Sequence, residues 1–299
     1  MKAFLFPGQG AQTLGMGEDC YAENSAYREM FDTMDAALPF DLKAACFGGE
    51  GLEKSEVTQP AILAHSISLL AALGETADIV AGLSLGEYSA MTAAGMISPA
   101  DCARLVFQRG GMMDAAVPAG EGGMLSVLGL TIGAVEKVLG DTPDVWAANH
   151  LAETQVVLAG KTEALGAVEP KFIIAGAKVV PLNVSGPFHS PMLEETAEKF
   201  KERVKTAKLT KPNVMIYSNF TAKPYDRLDD VPNLLASQMC GRVRWHDITE
   251  TLVKSGVTEF VEIGPGMVLS KMLKRSIEDA EVKIASVRDL KSLEKFLSE

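Results

Sequence analysis

A serine bounded by two glycines, placed between a short apolar run and a helical stretch, constrains this chain more than any other feature. Residues 78–81 predict a strand, Gly82-Leu83-Ser84-Leu85-Gly86 follows at once, and Glu87 to Ala94 has helical spacing. A G-x-S-x-G segment between a strand and a helix forms a sharp turn that exposes the serine hydroxyl. This context favours a nucleophile over an ordinary glycine-bounded turn, and it requires an α/β sheet to carry the turn.

Strands and helices alternate through most of the chain. Lys2 to Phe6 predicts a first strand, and Glu259 to Ile263 predicts a late strand that leads into a Gly-Pro-Gly turn. Between them, residues 59–73 and 99–115 carry apolar side chains at helical spacing. Such alternation is typical of an α/β protein whose sheet is mostly parallel.

The pattern changes between residues 120 and 183. The apolar runs there predict the strands Met124–Leu128, Val145–Ala148, Gln155–Leu158 and Lys178–Leu182. Helical segments near 131–139 and 161–176 complete the order strand–helix–strand–strand–helix–strand of the ferredoxin-like fold. We therefore predict a small ferredoxin-like subdomain of residues 120–183, inserted into a larger subdomain of residues 1–119 and 184–299.

Charge and cysteine content narrow the class of protein. The sequence has 39 acidic and 28 basic residues, and its net charge of -11 disfavours binding to nucleic acid. Its apolar start stops at Pro7, too early for a signal peptide, and no apolar stretch reaches the roughly 20 residues of a membrane span. No pair of cysteines has C-x-x-C spacing, so we expect a reduced, cytoplasmic protein without disulfides or zinc. The cysteines are Cys20, Cys46, Cys102 and Cys240.

A nucleophilic serine needs a base, and the sequence has 4 histidines. His65 lies in an apolar helical stretch and fits the core, whereas His150 falls in a predicted loop of the small subdomain. His246 stands at a helix start, which favours a capping role. His189 lies in the turn Ser185-Gly186-Pro187-Phe188-His189-Ser190-Pro191, the kind of rigid loop that carries catalytic groups. Elimination therefore favours His189 as the base.

Two further segments each allow two interpretations. Gly8-Gln9-Gly10-Ala11-Gln12 departs from the dinucleotide fingerprint because Thr13 breaks the spacing, which leaves either a tight turn or a cradle of N–H groups for an oxyanion. Arg109 follows an apolar helical run, and is either a solvated or helix-capping arginine or a fork that grips a substrate carboxylate. We find no metal-binding or phosphate-loop pattern, so the sequence implies no metal and no cofactor.

Several strings of the sequence recur together, in the same order, in one group of enzymes. The strings are Pro7-Gly-Gln-Gly-Ala-Gln, Thr58-Gln59-Pro60-Ala61, Gly-Leu-Ser-Leu-Gly-Glu-Tyr-Ser-Ala at 82–90, Gln-Arg-Gly at 108–110, Gly-Pro-Phe-His-Ser at 186–190 and Glu-Ile-Gly-Pro-Gly at 262–266. From Phe4 to about Arg275 the chain resembles the malonyl-CoA:acyl carrier protein transacylases and the related acyltransferase domains of polyketide and fatty acid synthases.

The resemblance implies a hydrolase-like α/β large subdomain beside the ferredoxin-like one, and it implies roles for single residues. Ser84 would be the nucleophile and His189 its base, while the backbone carbonyl of Gln238 would orient that histidine. The backbone N–H groups of Gln9 and Leu85 would form the oxyanion hole.

The reaction implied by the resemblance is a ping-pong transfer. Ser84 would take the malonyl group from malonyl-CoA, release coenzyme A, and pass the group to the pantetheine thiol of an acyl carrier protein. Arg109 would pair with the malonyl carboxylate, and a site built around such a polar contact can reject an analogue that lacks it by about 10⁴-fold. We expect a monomer that has no resident cofactor and binds neither nucleic acid nor membranes.

Three rival functions use parts of the same site. A serine acyl hydrolase or thioesterase shares the Ser–His pair, although Arg109 argues against it because ordinary acyl esters bear no carboxylate. A free-standing acyltransferase of a polyketide assembly line would run the same chemistry with other carrier proteins. A catalytically inactive subunit that binds carrier proteins is disfavoured because four site residues are intact, namely Ser84, His189, Arg109 and Gln9.

The sequence differs from the family's usual residues at two places near the site, and it carries a candidate docking surface. Leu83 stands where the family usually has histidine, and Leu151-Ala152-Glu153 stands where it commonly has Asn-Ser-Pro, so the acyl-binding wall is expected to differ. Phe188, by contrast, resembles malonyl-selective members. Since carrier proteins are acidic, we expect a basic docking patch, formed by Lys271, Lys274 and Arg275.

Overall fold

The computed structural model describes residues 1–277 and 282–298. Its strands are β1 (Lys2–Phe6), β2 (Ile79–Gly82), β3 (Gly122–Leu128), β4 (Val145–Ala152), β5 (Gln155–Lys161), β6 (Lys178–Pro181), β7 (Met215–Ile216), β8 (Glu259–Ile263) and β9 (Lys283–Val287). Its helices are α1 (Glu18–Glu23), α2 (Ser25–Asp35), α3 (Leu42–Gly48), α4 (Ser55–Leu73), α5 (Gly86–Ala93), α6 (Pro99–Asp114), α7 (Ile132–Leu139), α8 (Thr162–Ile174), α9 (Glu194–Thr206), α10 (Val231–Cys240), α11 (Trp245–Lys254), α12 (Val268–Ser276) and α13 (Leu290–Ser298).

The larger sheet is parallel throughout, with the strand order β7-β2-β1-β8-β9. Its central strands are apolar and buried, as expected for a parallel sheet covered by helices on both faces. The carboxyl end of β2 pairs beside that of β1, with Gly82 opposite Phe6. The serine turn after β2 and the glycine-rich loop after β1 therefore leave the sheet at the same edge. The predicted α/β class is confirmed.

The smaller sheet is antiparallel, with the order β4-β5-β3-β6, and α7 and α8 pack on it. This order is that of a ferredoxin-like unit, which confirms the predicted fold of the segment. The unit has an apolar core of its own, which includes Val127, Leu158 and Phe172. Strand β4 continues to Ala152, four residues beyond the predicted end, so the interpretation of His150 as a loop residue is wrong.

The turn between β2 and α5 requires glycine on both sides of the serine. A Cβ at Gly82 would overlap the carbonyl oxygen of Gly86, and a Cβ at Gly86 would overlap that of Phe6. Both overlaps are with backbone, which has no rotamer by which it could move aside. The G-x-S-x-G pattern is therefore a packing requirement of the point where α5 meets the sheet.

Helix α6, which carries Arg109, begins where the sequence predicted. The Ser98 hydroxyl accepts the N–H of Asp101 as an N-cap, and Pro99 occupies the first turn, where it loses no helical hydrogen bond. The helix packs closely on α4, because Gly110 lies against the backbone of Ser55. From this helix Arg109 reaches the serine, with its Nη2 3.3 Å from Ser84 Oγ.

The cysteines are all free, and three of them are buried. Within the described residues, no helix is both long enough and apolar enough to cross a membrane.

Candidate active site

Ser84 and His189 form a hydrogen-bonded pair at the carboxyl edge of the large sheet. The distance between Ser84 Oγ and His189 Nε2 is 2.8 Å. Both residues have left-handed backbones, with φ of 53° at Ser84 and 60° at His189. Non-glycine residues rarely adopt this conformation, and strain of this kind clusters at functional sites. The serine turn and the predicted His189 loop thus meet across 105 residues of sequence.

The imidazole of His189 is oriented by α10. Its Nδ1 lies 2.6 Å from the backbone carbonyl of Gln238, and because a carbonyl only accepts, Nδ1 must carry the proton. Nε2 is therefore free to accept the Ser84 hydroxyl. Burial, and then the nearby Arg109 guanidinium, lower the pKa of His189 to about 3, although the bond to Gln238 opposes this. The histidine is neutral near pH 7 and able to receive a proton.

Arg109 is buried beside the serine rather than solvated, so its interpretation as a surface or capping residue is wrong. Only 1% of it is exposed. Nη1 donates to Gln59 Oε1 at 2.8 Å, whereas Nη2 donates to Gln238 Oε1 at 2.8 Å and to Ser84 Oγ at 3.3 Å. The ring of Tyr88 lies 5.1 Å from the guanidinium carbon. Among the described residues no carboxylate forms an ion pair with Arg109, and its Nε has no partner.

The backbone N–H groups around Ser84 differ in whether they are free to form the predicted oxyanion hole. Asn219 Oδ1 accepts the N–H of Ser84 itself at 2.6 Å, and its Nδ2 donates to the Gly82 carbonyl at 2.7 Å. The N–H of Ser84 is thereby occupied. The N–H groups of Gln9 and Leu85 donate no hydrogen bond within residues 1–277 and 282–298. Both therefore keep a donor available at the serine turn.

A cleft of about 480 Å³ opens over Ser84 between the two sheets. Its polar lining comes from Ser84, His189, Arg109 and the loop at Gln9, and the rest is mostly apolar. The apolar lining includes Leu83, Met113, Met124, Leu151, Val157 and Phe188. Leu83 and Leu151, two of the positions where the sequence departs from the family, both face this cleft. The departures therefore alter its wall and not a remote surface.

The other histidines lie outside the site. His65 is buried, with Nδ1 2.7 Å from the Tyr27 hydroxyl and Nε2 3.0 Å from the carbonyl oxygen of Arg288, which confirms it as a core residue. His150 lies in β4, where its ring centroid is 4.7 Å from that of His246. No side chain caps the start of α11, so the capping role predicted for His246 is wrong.

The residues of the predicted docking patch share one helix near the cleft. Lys271, Lys274 and Arg275 are exposed on α12, and Val268 and Met272 of the same helix line the cleft.

Sequence reasoning missed four residues that support the pair. Gln59 and Glu87 lie within the quoted strings but received no role, while Asn219 and Tyr225 lie outside every string. Glu87 is fully buried, and its carboxylate accepts hydrogen bonds from Tyr225, Gln238 and the backbone of Asn219. Burial raises the pKa of this carboxyl to about 7, although those hydrogen bonds oppose the rise. Only the contacts in the fold identify this layer beneath the site.

Comparisons with known proteins agree with this geometry. A family model described as an acyl transferase domain matches residues 3–296. The chain belongs to this family. It is 37% identical over 302 residues to a malonyl CoA-acyl carrier protein transacylase of Bacillus subtilis, covering 98% of this chain and 95% of the relative.

Solved structures of the family are similar over nearly the full length. The crystal structure of a malonyl CoA-acyl carrier protein transacylase from Clostridium perfringens matches with a TM-score of 0.95 and 37% identity, covering 99% of this chain and 96% of that one. A malonyl-transacylase in complex with its type II PKS acyl carrier protein matches with a TM-score of 0.95 and 32% identity, covering 99% of each chain. The fold and the acyltransferase class of the chain follow from these matches.

Proposed function

We propose that the chain transfers the malonyl group of malonyl-CoA to the pantetheine thiol of an acyl carrier protein through a malonyl ester on Ser84. The observation that carries this proposal is the guanidinium of Arg109, which is buried, lies 3.3 Å from Ser84 Oγ, and contacts no carboxylate among the described residues. An acyl group that ends in a carboxylate would supply the missing partner. The names of the relatives support malonyl as that group.

The first half-reaction acylates the serine. Ser84 Oγ attacks the thioester carbonyl while His189 Nε2 accepts the hydroxyl proton over their 2.8 Å hydrogen bond. The bond between the carbonyl carbon and the sulfur of coenzyme A breaks, and the proton on His189 passes to the departing thiolate. Gln238, whose carbonyl accepts from Nδ1, stabilises the imidazolium that forms in between.

The second half-reaction reverses these events with a different thiol. His189 takes the proton of the pantetheine thiol, the sulfur attacks the ester carbon, and the bond from that carbon to Ser84 Oγ breaks. The proton then returns to Ser84. In both halves we assign the oxyanion to the N–H groups of Gln9 and Leu85, which have no other acceptor within the described chain.

Arg109 accounts for selectivity on physical grounds. A planar guanidinium can bind a carboxylate through two parallel hydrogen bonds, and a buried one left without that partner is penalised. Acetyl-CoA would leave it unpaired, so we expect discrimination of up to about 10⁴-fold. The same argument disfavours a general acyl hydrolase or thioesterase, whose substrates carry no such carboxylate.

Two classes of carrier protein fit the proposed transfer. We propose a carrier protein of fatty acid synthesis, because the relatives that match over nearly their full length are named malonyl CoA-acyl carrier protein transacylase. A polyketide carrier is the alternative, supported by the similar complex with a type II PKS carrier protein. In either case Lys271, Lys274 and Arg275 are proposed to contact the acidic partner at the mouth of the cleft.

Residues 120–183 are proposed as the small subdomain and the remainder as the large one, so that the cleft lies at their junction. We further propose that the enzyme acts as a monomer in the cytoplasm.

Intact-protein mass spectrometry after brief mixing with malonyl-CoA tests the function. We expect one malonyl adduct on the natural protein, none on Ser84→Ala, and little adduct from acetyl-CoA. Release of free coenzyme A without an adduct would indicate a hydrolase. Neither adduct nor release would indicate a binding subunit or another acyl donor.

A further inference from the structure

Glu87 holds a buried carboxylate to which the transfer reaction assigns no role. Glu87 is 0% exposed and lies in the first turn of α5, three positions after Ser84. Nothing in the described part of the chain forms an ion pair with it, since its hydrogen-bond donors are an amide, a phenol and a backbone N–H. A buried charge without a contacting cation costs folding free energy, and this cost indicates that the carboxylate serves a function.

The carboxylate fixes the orientation of one amide. Gln238 Nε2 donates to Glu87 Oε2 at 2.8 Å and to the Ser84 carbonyl at 2.8 Å, which uses both of its hydrogens. In the flipped orientation, Gln238 Oε1 would face two acceptors and the amide hydrogens would face the donors of Arg109. Glu87 thereby selects the orientation in which Oε1 points to Arg109.

That oxygen is one of the few acceptors that hold the guanidinium. Gln238 Oε1 accepts from Arg109 Nη2 at 2.8 Å, and Gln59 Oε1 accepts from Nη1 at 2.8 Å. Both acceptors are neutral amides, so neither balances the charge. Glu87 is the nearest anion along this path, one amide away from the guanidinium. The ionised form of Glu87, which predominates above its raised pKa of about 7, attracts Arg109 through a buried medium, where charges interact more strongly than in water.

We propose that Glu87 is a positioning residue, which orients the Gln238 amide and so holds and balances Arg109 for the carboxylate of the acyl group. It touches neither the acyl group nor the reacting atoms. The inference rests on the function proposed above, because it assumes an acyl group with a carboxylate. It predicts that Glu87 governs acyl selectivity more than the intrinsic reactivity of Ser84.

The test compares acylation of Ser84 by malonyl-CoA and by acetyl-CoA in Glu87→Gln, using rapid quenching and intact-mass detection. The glutamine keeps the shape and one acceptor oxygen but removes the charge. We expect kcat/KM for malonyl-CoA to fall about 10- to 100-fold, the range typical of a hydrogen bond to a charged group. For acetyl-CoA we expect a fall of less than about threefold, so that selectivity decreases.

Glu262→Gln is the matched control, because Glu262 is the other glutamate buried in the described residues and it accepts only the N–H groups of Leu269 and Ser270. It should leave the malonyl-to-acetyl ratio unchanged, whatever its effect on stability. An unchanged ratio in Glu87→Gln, or equal losses for both donors, would overturn the inference. Absence of any malonyl adduct on the natural protein would instead refute the proposed function.

Tyr225→Phe supplies a second variant that should fold readily. It removes the hydroxyl that donates to Glu87, which loosens the carboxylate and raises its pKa further but leaves a group that can still ionise. We expect a smaller fall of the malonyl-to-acetyl ratio, about three- to tenfold. A ratio equal to that of the natural protein would contradict the inference even if Glu87→Gln could not be purified.

Discussion

The guanidinium of Arg109 acts on the base, and in the proposed reaction it also binds the acyl group. Its positive charge is one reason why the pKa of His189 is lowered to about 3, after burial. Acylation places a second positive charge on His189, close to the first. A carboxylate bound to Arg109 would cancel the first charge and ease that step. Selectivity is therefore expected in the rate of acylation as well as in binding.

Arg109→Lys tests whether the fork, and not only the charge, is required. The compact ammonium of lysine lacks the planar fork that binds a carboxylate through two parallel hydrogen bonds, so we expect kcat/KM for malonyl-CoA to fall about 100-fold or more. Single-turnover acylation with malonyl-CoA and acetyl-CoA measures the change. Arg104→Lys on the same helix is the control, because Arg104 is exposed and, among the described residues, its only ion pair is with Asp101. Equal losses with both donors would show that Arg109 acts on the fold of the site and not on selectivity.

The strand–turn–helix around Ser84 shows how packing and chemistry share one constraint. The glycines let α5 approach the sheet, and the approach leaves Ser84 with φ of 53° and an exposed hydroxyl. Asn219 then locks the turn by bonding to Ser84 N–H and to the Gly82 carbonyl. The strain at the serine is thus maintained by contacts from a distant part of the chain.

Gly86→Ala is expected to destabilise the protein by about 2 kcal/mol or more, because the new Cβ meets the carbonyl of Phe6. Loss of the malonyl adduct should accompany it. Gly166→Ala is the matched control, since that glycine lies exposed within α8 with no atom near its added Cβ, and it should stabilise by about 0.5–1 kcal/mol. Urea denaturation measures both. Equal destabilisation at the two positions would rule out the close approach as the cause.

Helix α12 connects the large sheet to the cleft mouth. Glu262, at the end of β8, accepts the N–H groups of Leu269 and Ser270 in its first turn. On this helix Met272 lines the cleft, whereas the three basic side chains are exposed. The carboxylate at the helix start is also favourable to the helix dipole.

Reversing the charges of Lys274 and Arg275 to glutamate should raise KM for the carrier protein about tenfold at low salt. Acylation by malonyl-CoA should change much less, because the serine site is untouched. Lys208→Glu with Lys211→Glu, an equal change of charge at exposed positions that do not line the cleft, is the control. Steady-state transfer to carrier protein at two salt concentrations measures the effect. An unchanged KM at low salt would exclude docking on α12.

Local patterns along the chain predicted most of the fold and the central pair. The strand–turn–helix at Ser84 and the ferredoxin-like order are visible within short windows, where side-chain periodicity follows the backbone. The Asn219 bond to Ser84 joins residues 135 positions apart, and the Glu87–Gln238 bond spans 151. No periodicity encodes such pairs. The position of Arg109 inside the site came from the family resemblance, because its place on the helix alone favours a solvated or capping arginine.

A buried hydrogen-bond chain ties distant parts of the protein together. Tyr27 of α2 bonds to His65 of α4, and His65 in turn bonds to the carbonyl of Arg288, just beyond β9. One segment near each end of the polypeptide is thus hydrogen-bonded to α4 in the core. Because a carbonyl only accepts, Nε2 must carry a proton, and in the neutral ring Nδ1 accepts from the Tyr27 hydroxyl. Burial lowers its pKa to about 4, although the bond to the Arg288 carbonyl opposes this.

Because of His65, the free energy of unfolding should decrease as the pH is lowered. In the unfolded chain the imidazole takes up a proton near its ordinary pKa of about 6.5, whereas the folded chain does so only near 4. Its contribution is complete above the unfolded value and is lost as pH falls toward the folded one, by about 2 kcal/mol between pH 7 and 5. His65→Gln removes this titration, so its deficit relative to the natural protein should shrink by that amount. Urea denaturation at both pH values measures it, and Phe31→Leu, which packs on Tyr27 without titrating, should show a constant deficit. Parallel pH curves for His65→Gln and the natural protein would mean that His65 takes up its proton equally readily in the folded and the unfolded chain.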